Sequence, residues 1–215
     1  MRTWHGAVPT EKADAYHRYL LRTGLGDYGA AVGNRGVLPL SRQNGTRTHF
    51  LLATLWEDLD AVRAFAGEDV LRARYYPEDD DYLVEREPFV THYEAVLPPT
   101  WGGTSGGVAR LWHGWTRPEA ADAYEALLTG EIVPGIEARG VRGYAGMTVW
   151  RHEAETEAET TFATLMRFDG MDAVRVFAGA DAGTAVVPSS ARALLTRFDA
   201  RSVHYDVLCL DRVEG

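Results

Sequence analysis

The chain has a single cysteine, Cys209, among its 215 residues. One thiol excludes an intramolecular disulfide, a CxxC redox pair and a cysteine-built zinc centre, and it fits a reducing cytoplasm. Long apolar runs are also missing: none reaches the roughly 20 residues that span a bilayer. The N-terminus enters patterned sequence at Arg2-Thr3-Trp4-His5, without the basic start and apolar stretch of a secretory leader. A positive balance is absent as well. The net charge of -9 leaves no excess of cations to neutralise a phosphate backbone, so nucleic acid is not an expected partner. The seven histidines form no close HxH or HxxxH pair, and Glu78-Asp79-Asp80-Asp81 lacks the glycine and terminal glutamate of a calcium loop. No metal centre is expected, and the acidic run reads as a solvated face. What remains is 46% hydrophobic and 25% charged, ordinary globular material.

What is present is a repeat. Trp4-His5-Gly6 returns as Trp112-His113-Gly114, and Asp14-Ala15-Tyr16 as Asp122-Ala123-Tyr124. Asp60-Ala61-Val62-Arg63 with Phe65-Ala66-Gly67 and Asp69 returns as Asp172-Ala173-Val174-Arg175 with Phe177-Ala178-Gly179 and Asp181, and His92-Tyr93 as His204-Tyr205. Proline, glycine and serine between Pro98 and Gly107 read as a tether. The expected organisation is a first unit over 1–98, a linker over 99–107 and a second unit over 108–215.

Each unit reads as strand, helix, strand, strand, helix, strand. The strands are expected at 2–7, 36–42, 50–56 and 91–97, and again at 109–115, 143–151, 162–168 and 203–210. First helices follow Pro9 and Pro118, the latter with Thr116 and Glu119 as a capping box. Asn44-Gly45 is a hairpin dipeptide, and Asp58 and Asp169 are expected helix caps. Gly24-Leu25-Gly26-Asp27-Tyr28-Gly29 satisfies GxGxxG, but it follows a helix instead of a strand and reads as a loop without dinucleotide chemistry. The pattern is α+β: two tandem ferredoxin-like βαββαβ units. Each such sheet leaves one face bare, and two packed together would make a fused dimeric α/β barrel, a pseudo-dimer within one chain that leaves a further homodimer open.

Trp4-His5-Gly6, Trp56 leading into Asp60-Ala61-Val62-Arg63-Ala64-Phe65, and His92-Tyr93, with Trp112-His113-Gly114, Phe168 and His204-Tyr205 in the second copy, resemble the antibiotic biosynthesis monooxygenase-like family of dimeric α/β barrels. The resemblance covers nearly the whole chain, once per half. It implies a cytoplasmic, cofactor-independent monooxygenase acting on an aromatic or polyketide-like small molecule, with molecular oxygen as co-substrate. The same family holds haem-degrading enzymes, isomerases and members of no known role, so fold leaves function open. Haem-degrading relatives carry a histidine on the second helix, and neither copy here has one. A binding or stress-associated barrel without turnover, and a haem-handling protein, are the alternatives.

Alternation along the first and last strands divides their side chains between two faces. With Arg2 set opposite Glu94 and Arg110 opposite Asp206, His5, Tyr93, His113 and Tyr205 share a largely apolar face that is expected to line a pocket under the helices. Exchanging the faces gives that place to His92 and His204. Histidine suits a general base near neutral pH, so His5 and His113 are candidates for it. Tyr93 and Tyr205 are candidates to hold a developing oxyanion. Trp4, Trp56 and Trp112 offer flat surfaces to an aromatic substrate, with Tyr16, Tyr124, Phe65 and Phe177 as a roof. Plain packing explains the same residues without chemistry: a core histidine bonded to a tyrosine, and aromatics that fill the interior. The copies differ at Tyr75-Tyr76, which becomes Val186-Val187, and at the acidic run, which becomes Ser189-Ser190-Ala191. The first half is therefore expected to be richer in polar pocket chemistry.

Overall fold

The computed structural model describes residues 1–99, 106–153 and 158–210; most of the expected tether lies outside the described residues. In chain order the elements are β1 (Arg2–Pro9), a 3-10 turn (Thr10–Lys12), α1 (Ala13–Arg22), α2 (Gly24–Ala30), β2 (Asn34–Asn44), β3 (Arg47–Trp56), α3 (Leu59–Ala66), α4 (Asp79–Tyr82), β4 (Glu85–Arg86), β5 (Thr91–His92) and β6 (Glu94–Leu97). There follow β7 (Val108–Thr116), α5 (Pro118–Leu127), a π-helical turn (Leu128–Ile132), α6 (Val133–Ala138), β8 (Tyr144–His152), β9 (Thr160–Phe168), α7 (Met171–Ala178), α8 (Ser189–Arg192), β10 (Leu195–Phe198) and β11 (Val203–Val207). The protein is thus α+β with antiparallel sheet and short helices. No helix among the described residues is long and apolar enough to cross a membrane.

Two compact units result. In unit 1, which holds 1–92 and 206–210, β1 runs antiparallel to β3 from Arg2↔Thr54 to Pro9↔Arg47, and β3 pairs with β2 through a hairpin. Asn44 is the last paired residue of β2, and Gly45, at φ 60°, makes the turn that only a residue without a Cβ takes easily. β4 and β5 pair with β1, while Asp206 and Val207 pair with Ser41 and Leu40 of β2. In unit 2, which holds 93–99 and 107–205, β7, β9 and β8 pair in that order, β10 joins β7, and β6 joins β8. The last strand expected for each half therefore divides. Thr91 and His92 stay with β1, but Glu94–Leu97 pairs with β8 in unit 2, and the end of β11 pairs with β2 in unit 1.

In each unit the helices pack on a sheet face that carries large apolar groups. In unit 1, Trp4, Val8, Phe50 and Leu52 pack with Tyr16, Tyr19, Leu20 and Val62, and side chains of this size contribute roughly 1.5–3 kcal/mol each when fully buried. In unit 2, Tyr124, Leu128, Val149 and Phe162 form one cluster, and Met166, Phe168, Val174 and Phe177 another.

Several local expectations change. Gly24–Ala30 is helical, not a loop: burial of Leu25 and Tyr28, the latter stacked on Phe65 at 4.8 Å, overrides the low helix propensity of three glycines. Asp58 caps α3, accepting from the Ala61 amide at 2.8 Å, but α7 starts after Gly170 and has no side-chain cap, so Asp169 does not serve. The capping box is also absent: α5 follows Arg117 with Pro118 at its first position, where a missing N–H costs nothing. Asp79, within the acidic run, is only 4% exposed.

Candidate functional site

The repeated Trp-His-Gly has a local cause. Residues two apart on a strand share a face, and the indole of Trp4 lies back across Gly6, where an added Cβ would stand 2.4 Å from the ring. Trp112 lies over Gly114 in the same way, at 2.6 Å. Each indole N–H then reaches a backbone carbonyl, Glu87 at 3.1 Å and Asp199 at 2.8 Å. The glycine is the space that the tryptophan fills.

A pocket lies beside each tryptophan, between sheet and helices. In unit 1 its walls include Arg2, Trp4 and Leu52 from the sheet, Tyr16 and Leu20 from α1, Tyr28 from α2, and Arg74, Tyr75, Tyr76 and Asp79 from the region between α3 and the start of α4. Tyr75 accepts from the Trp4 indole at 3.2 Å and donates to the Glu87 carbonyl at 2.5 Å. The Asp79 carboxylate accepts from the Tyr76 amide at 2.7 Å and, more loosely, from the Tyr16 hydroxyl at 3.4 Å. Burial pushes the Asp79 pKa up, and those bonds together with Arg86 offset the shift only in part. Burial and the neighbouring Asp79 push the Tyr16 hydroxyl up as well, so it stays a donor. Tyr76 donates to Asp27 at 2.6 Å, and Arg74 closes an ion pair with Asp27 at 3.1 Å. Arg2, 3% exposed, donates to the Arg72 carbonyl at 2.9 Å and bonds Tyr28, but its Nε has no partner. The enclosed space is about 30 Å³, enough for one or two waters.

The unit 2 pocket keeps Arg110, Trp112 and Tyr124 but is otherwise mostly apolar, with Val186, Val187 and Ala191 on the wall where unit 1 has its tyrosines and Asp79.

The candidates from sequence fall into three groups. Trp4 and Tyr16 line the first pocket, and Trp112, Tyr124 and Phe177 the second. Trp56 and Phe65 line neither pocket and pack against each other at 5.2 Å and against Tyr28, with the Trp56 indole donating to Thr54 at 2.8 Å. His5, His113, Tyr93 and Tyr205 line neither pocket. The face shared by His5 and His113 is the one turned from the helices, which reverses the expected assignment: alternation tells which residues share a face, not which face the helices cover. Arg2 stands opposite His92, not Glu94, while Glu94 pairs with Arg151 in unit 2.

His5 Nε2 meets His49 Nδ1 at 3.0 Å with the rings stacked, and its other nitrogen is 3.7 Å from Glu87. Burial, then Arg42, lowers the His5 pKa, which favours the neutral ring. His113 Nδ1 bonds Asp199 at 3.2 Å. Tyr93 lies beside Trp150 and His152, with ring centres 5.8 and 5.5 Å away, and Tyr205 is half-buried on β11. His92 meets the Val70 carbonyl at 3.0 Å, and burial lowers the His204 pKa.

Sequence reasoning missed Asp79, Arg2, Tyr75 and Tyr76 as pocket residues. The usable signal was the joint change of Tyr75-Tyr76 and the acidic run between the copies; nothing local says which of four acids turns inward. As for haem, neither pocket offers its iron a histidine or cysteine ligand among the described residues, so the residues present do not fit it. No group of three or more His, Cys, Asp or Glu is gathered for a metal among the described residues.

No protein-family model and no curated protein matches the chain. Solved structures do. A protein provisionally named a monooxygenase, from Fusobacterium nucleatum subsp. nucleatum ATCC 25586, aligns over 98% of this chain and 91% of its own at TM-score 0.62 and 10% identity. An anthrone oxidase-like protein aligns over 97% and 91% at TM-score 0.57 and 14% identity. Chlorite dismutase from Candidatus Nitrospira defluvii aligns over 98% and 91% at TM-score 0.53 and 12% identity. At such identities the likeness is one of fold alone: this chain shares a mixed α+β fold with these proteins.

Proposed function

We propose that the unit 1 pocket is the reaction site of a monooxygenase-like enzyme that oxidises a small phenolic aromatic with molecular oxygen, without metal or flavin, in a chain built of two tandem ferredoxin-like units. The observation that carries this reading is Asp79: a carboxylate 4% exposed, raised in pKa by burial, bonded to Tyr16 and set in an aromatic pocket. A desolvated carboxylate is a stronger base than one in water, and holding it ionised costs stability. The names of the structural neighbours, a monooxygenase and an anthrone oxidase-like protein, agree with this class of chemistry.

Asp79 removes the proton from a substrate hydroxyl or activated CH₂. Arg2, whose Nε is without a partner, stabilises the resulting anion across the pocket. The electron-rich ring then reduces oxygen. Since no reductant enters, the substrate supplies every electron: a ring CH₂ becomes a carbonyl holding one oxygen atom, and the other leaves as water with the two hydrogens. Trp4 and Tyr16 flank the ring. The enclosed space is smaller than a ring, so on this reading substrate entry displaces pocket side chains such as Arg74, Tyr75 and Tyr76.

The test is oxygen consumption against a panel of anthrones and hydroquinones. The wild type consumes oxygen, and Asp79→Asn lowers the rate about 100-fold or more, the usual loss for a general base, while its circular dichroism is unchanged. A rate that survives Asp79→Asn but is lost in His5→Ala moves the base to the other sheet face. No consumption with any substrate leaves a binding protein without turnover.

A further inference from the structure

We propose that the unit 2 pocket is a binding site for a small carboxylate carried on an apolar group, with Arg110 as its counter-charge. This goes beyond the reaction proposed for unit 1 and does not depend on it. Arg110 is 4% exposed and lines the pocket. One of its terminal nitrogens donates to the Thr184 carbonyl at 2.7 Å, and its Nε has no partner. No carboxylate pairs with it among the described residues. A buried guanidinium with a single carbonyl for company is an unfavourable arrangement that an anion from outside would complete.

The rest of the wall selects the kind of anion. Trp112, Met147, Met166, Phe177, Val187 and Ala191 are apolar, and the guanidinium lies over the Phe177 ring at 5.6 Å. Such a wall disfavours a hydrated polyanion and favours a monoanion with hydrocarbon behind it. The planar guanidinium fork matches a carboxylate with two parallel bonds. Tyr124 adds a hydroxyl that, unlike that of Tyr16, no carboxylate acts on. Unit 1 shows what has been removed: Asp79 lines its pocket, whereas Ala191 lines this one. The enclosed space of about 40 Å³ takes the carboxylate and its first carbons, with the remainder of the ligand toward the open side.

The experiment is calorimetric titration of the intact protein with benzoate, its neutral analogue benzamide, and inorganic phosphate. Benzoate binds with one site per chain, benzamide and phosphate at least tenfold more weakly, and Arg110→Met lowers benzoate affinity at least tenfold. Ala191→Asp sets a like charge against the incoming carboxylate and has the same effect, which keeps the test decisive if Arg110→Met does not fold. The proposal is overturned if benzoate does not bind, if benzamide or phosphate binds as well as benzoate, or if benzoate affinity survives Ala191→Asp.

Discussion

The two pockets start from the same three side chains, an arginine and a tryptophan on the first strand of the unit and a tyrosine on the helix that follows, and they diverge on one wall. Unit 1 places Tyr75, Tyr76 and Asp79 there; unit 2 places Val186, Val187 and Ala191. The sheet face is dictated by packing, since a tryptophan needs its glycine and both must face the helices. The opposite wall comes from irregular chain and a short helix, whose residues change without disturbing the sheet. Chemistry is free to differ where the scaffold does not constrain it.

The comparison breaks most sharply at Asp79. Besides the loss expected in Asp79→Asn, Ala191→Ser in the other pocket should leave oxygen consumption within about twofold, as expected of a change away from the base. Equal losses from both variants would show that the wall does not divide the units functionally.

Next in size is what the units share. Gly6→Ala and Gly114→Ala should each destabilise the protein by about 1–3 kcal/mol, the usual cost of forcing a methyl into a packed site, read from the denaturant midpoint. A much smaller effect in one unit would mean that its indole can leave the glycine.

Acid titration separates the units again. The Asp79 pKa in the folded protein lies above the ordinary value of 3.8. Between those two values the folded state holds more protons than the unfolded one, so this group makes stability fall as pH rises through the window. Above it, Asp79→Asn should be more stable than wild type, and the difference should vanish below the ordinary carboxyl pKa. Urea unfolding at several pH values measures this. The wild-type rate should rise over the same window as the base deprotonates.

The smallest contrast is at the helix caps. Asp58→Ala should cost about 1 kcal/mol by loss of the bond to the Ala61 amide, whereas Gly170→Asp should gain a few tenths, since glycine is a tolerable cap that lacks this bond. Thermal melts of both variants check the pair.

Much of this was legible in sequence where one local rule governs. The strands at the start of each half, the hairpin at Asn44-Gly45 and the cap at Asp58 each follow from alternation, turn chemistry or capping. Rules of that kind failed where a distant partner decided: Gly24–Ala30 is helical because Tyr28 stacks on Phe65, and Glu94–Leu97 finds its strand partner in β8. His5 and Trp4, adjacent in sequence, show the same limit. Their opposite orientation is a local property of a strand, while the choice of Trp4 for the pocket depends on which face α1 and α2 cover.

By itself, then, the sequence determined the first strand and first helix of each half, the repeated Trp-His-Gly and the sharing of faces, because backbone geometry and side-chain period act over a few residues. Tertiary structure alone decided that Asp79 is buried while its acidic neighbours are not, and that Arg110 has no acid beside it among the described residues. Burial and charge pairing depend on groups tens of residues away, and it is the desolvation they impose that raises the Asp79 pKa and lowers that of Arg110.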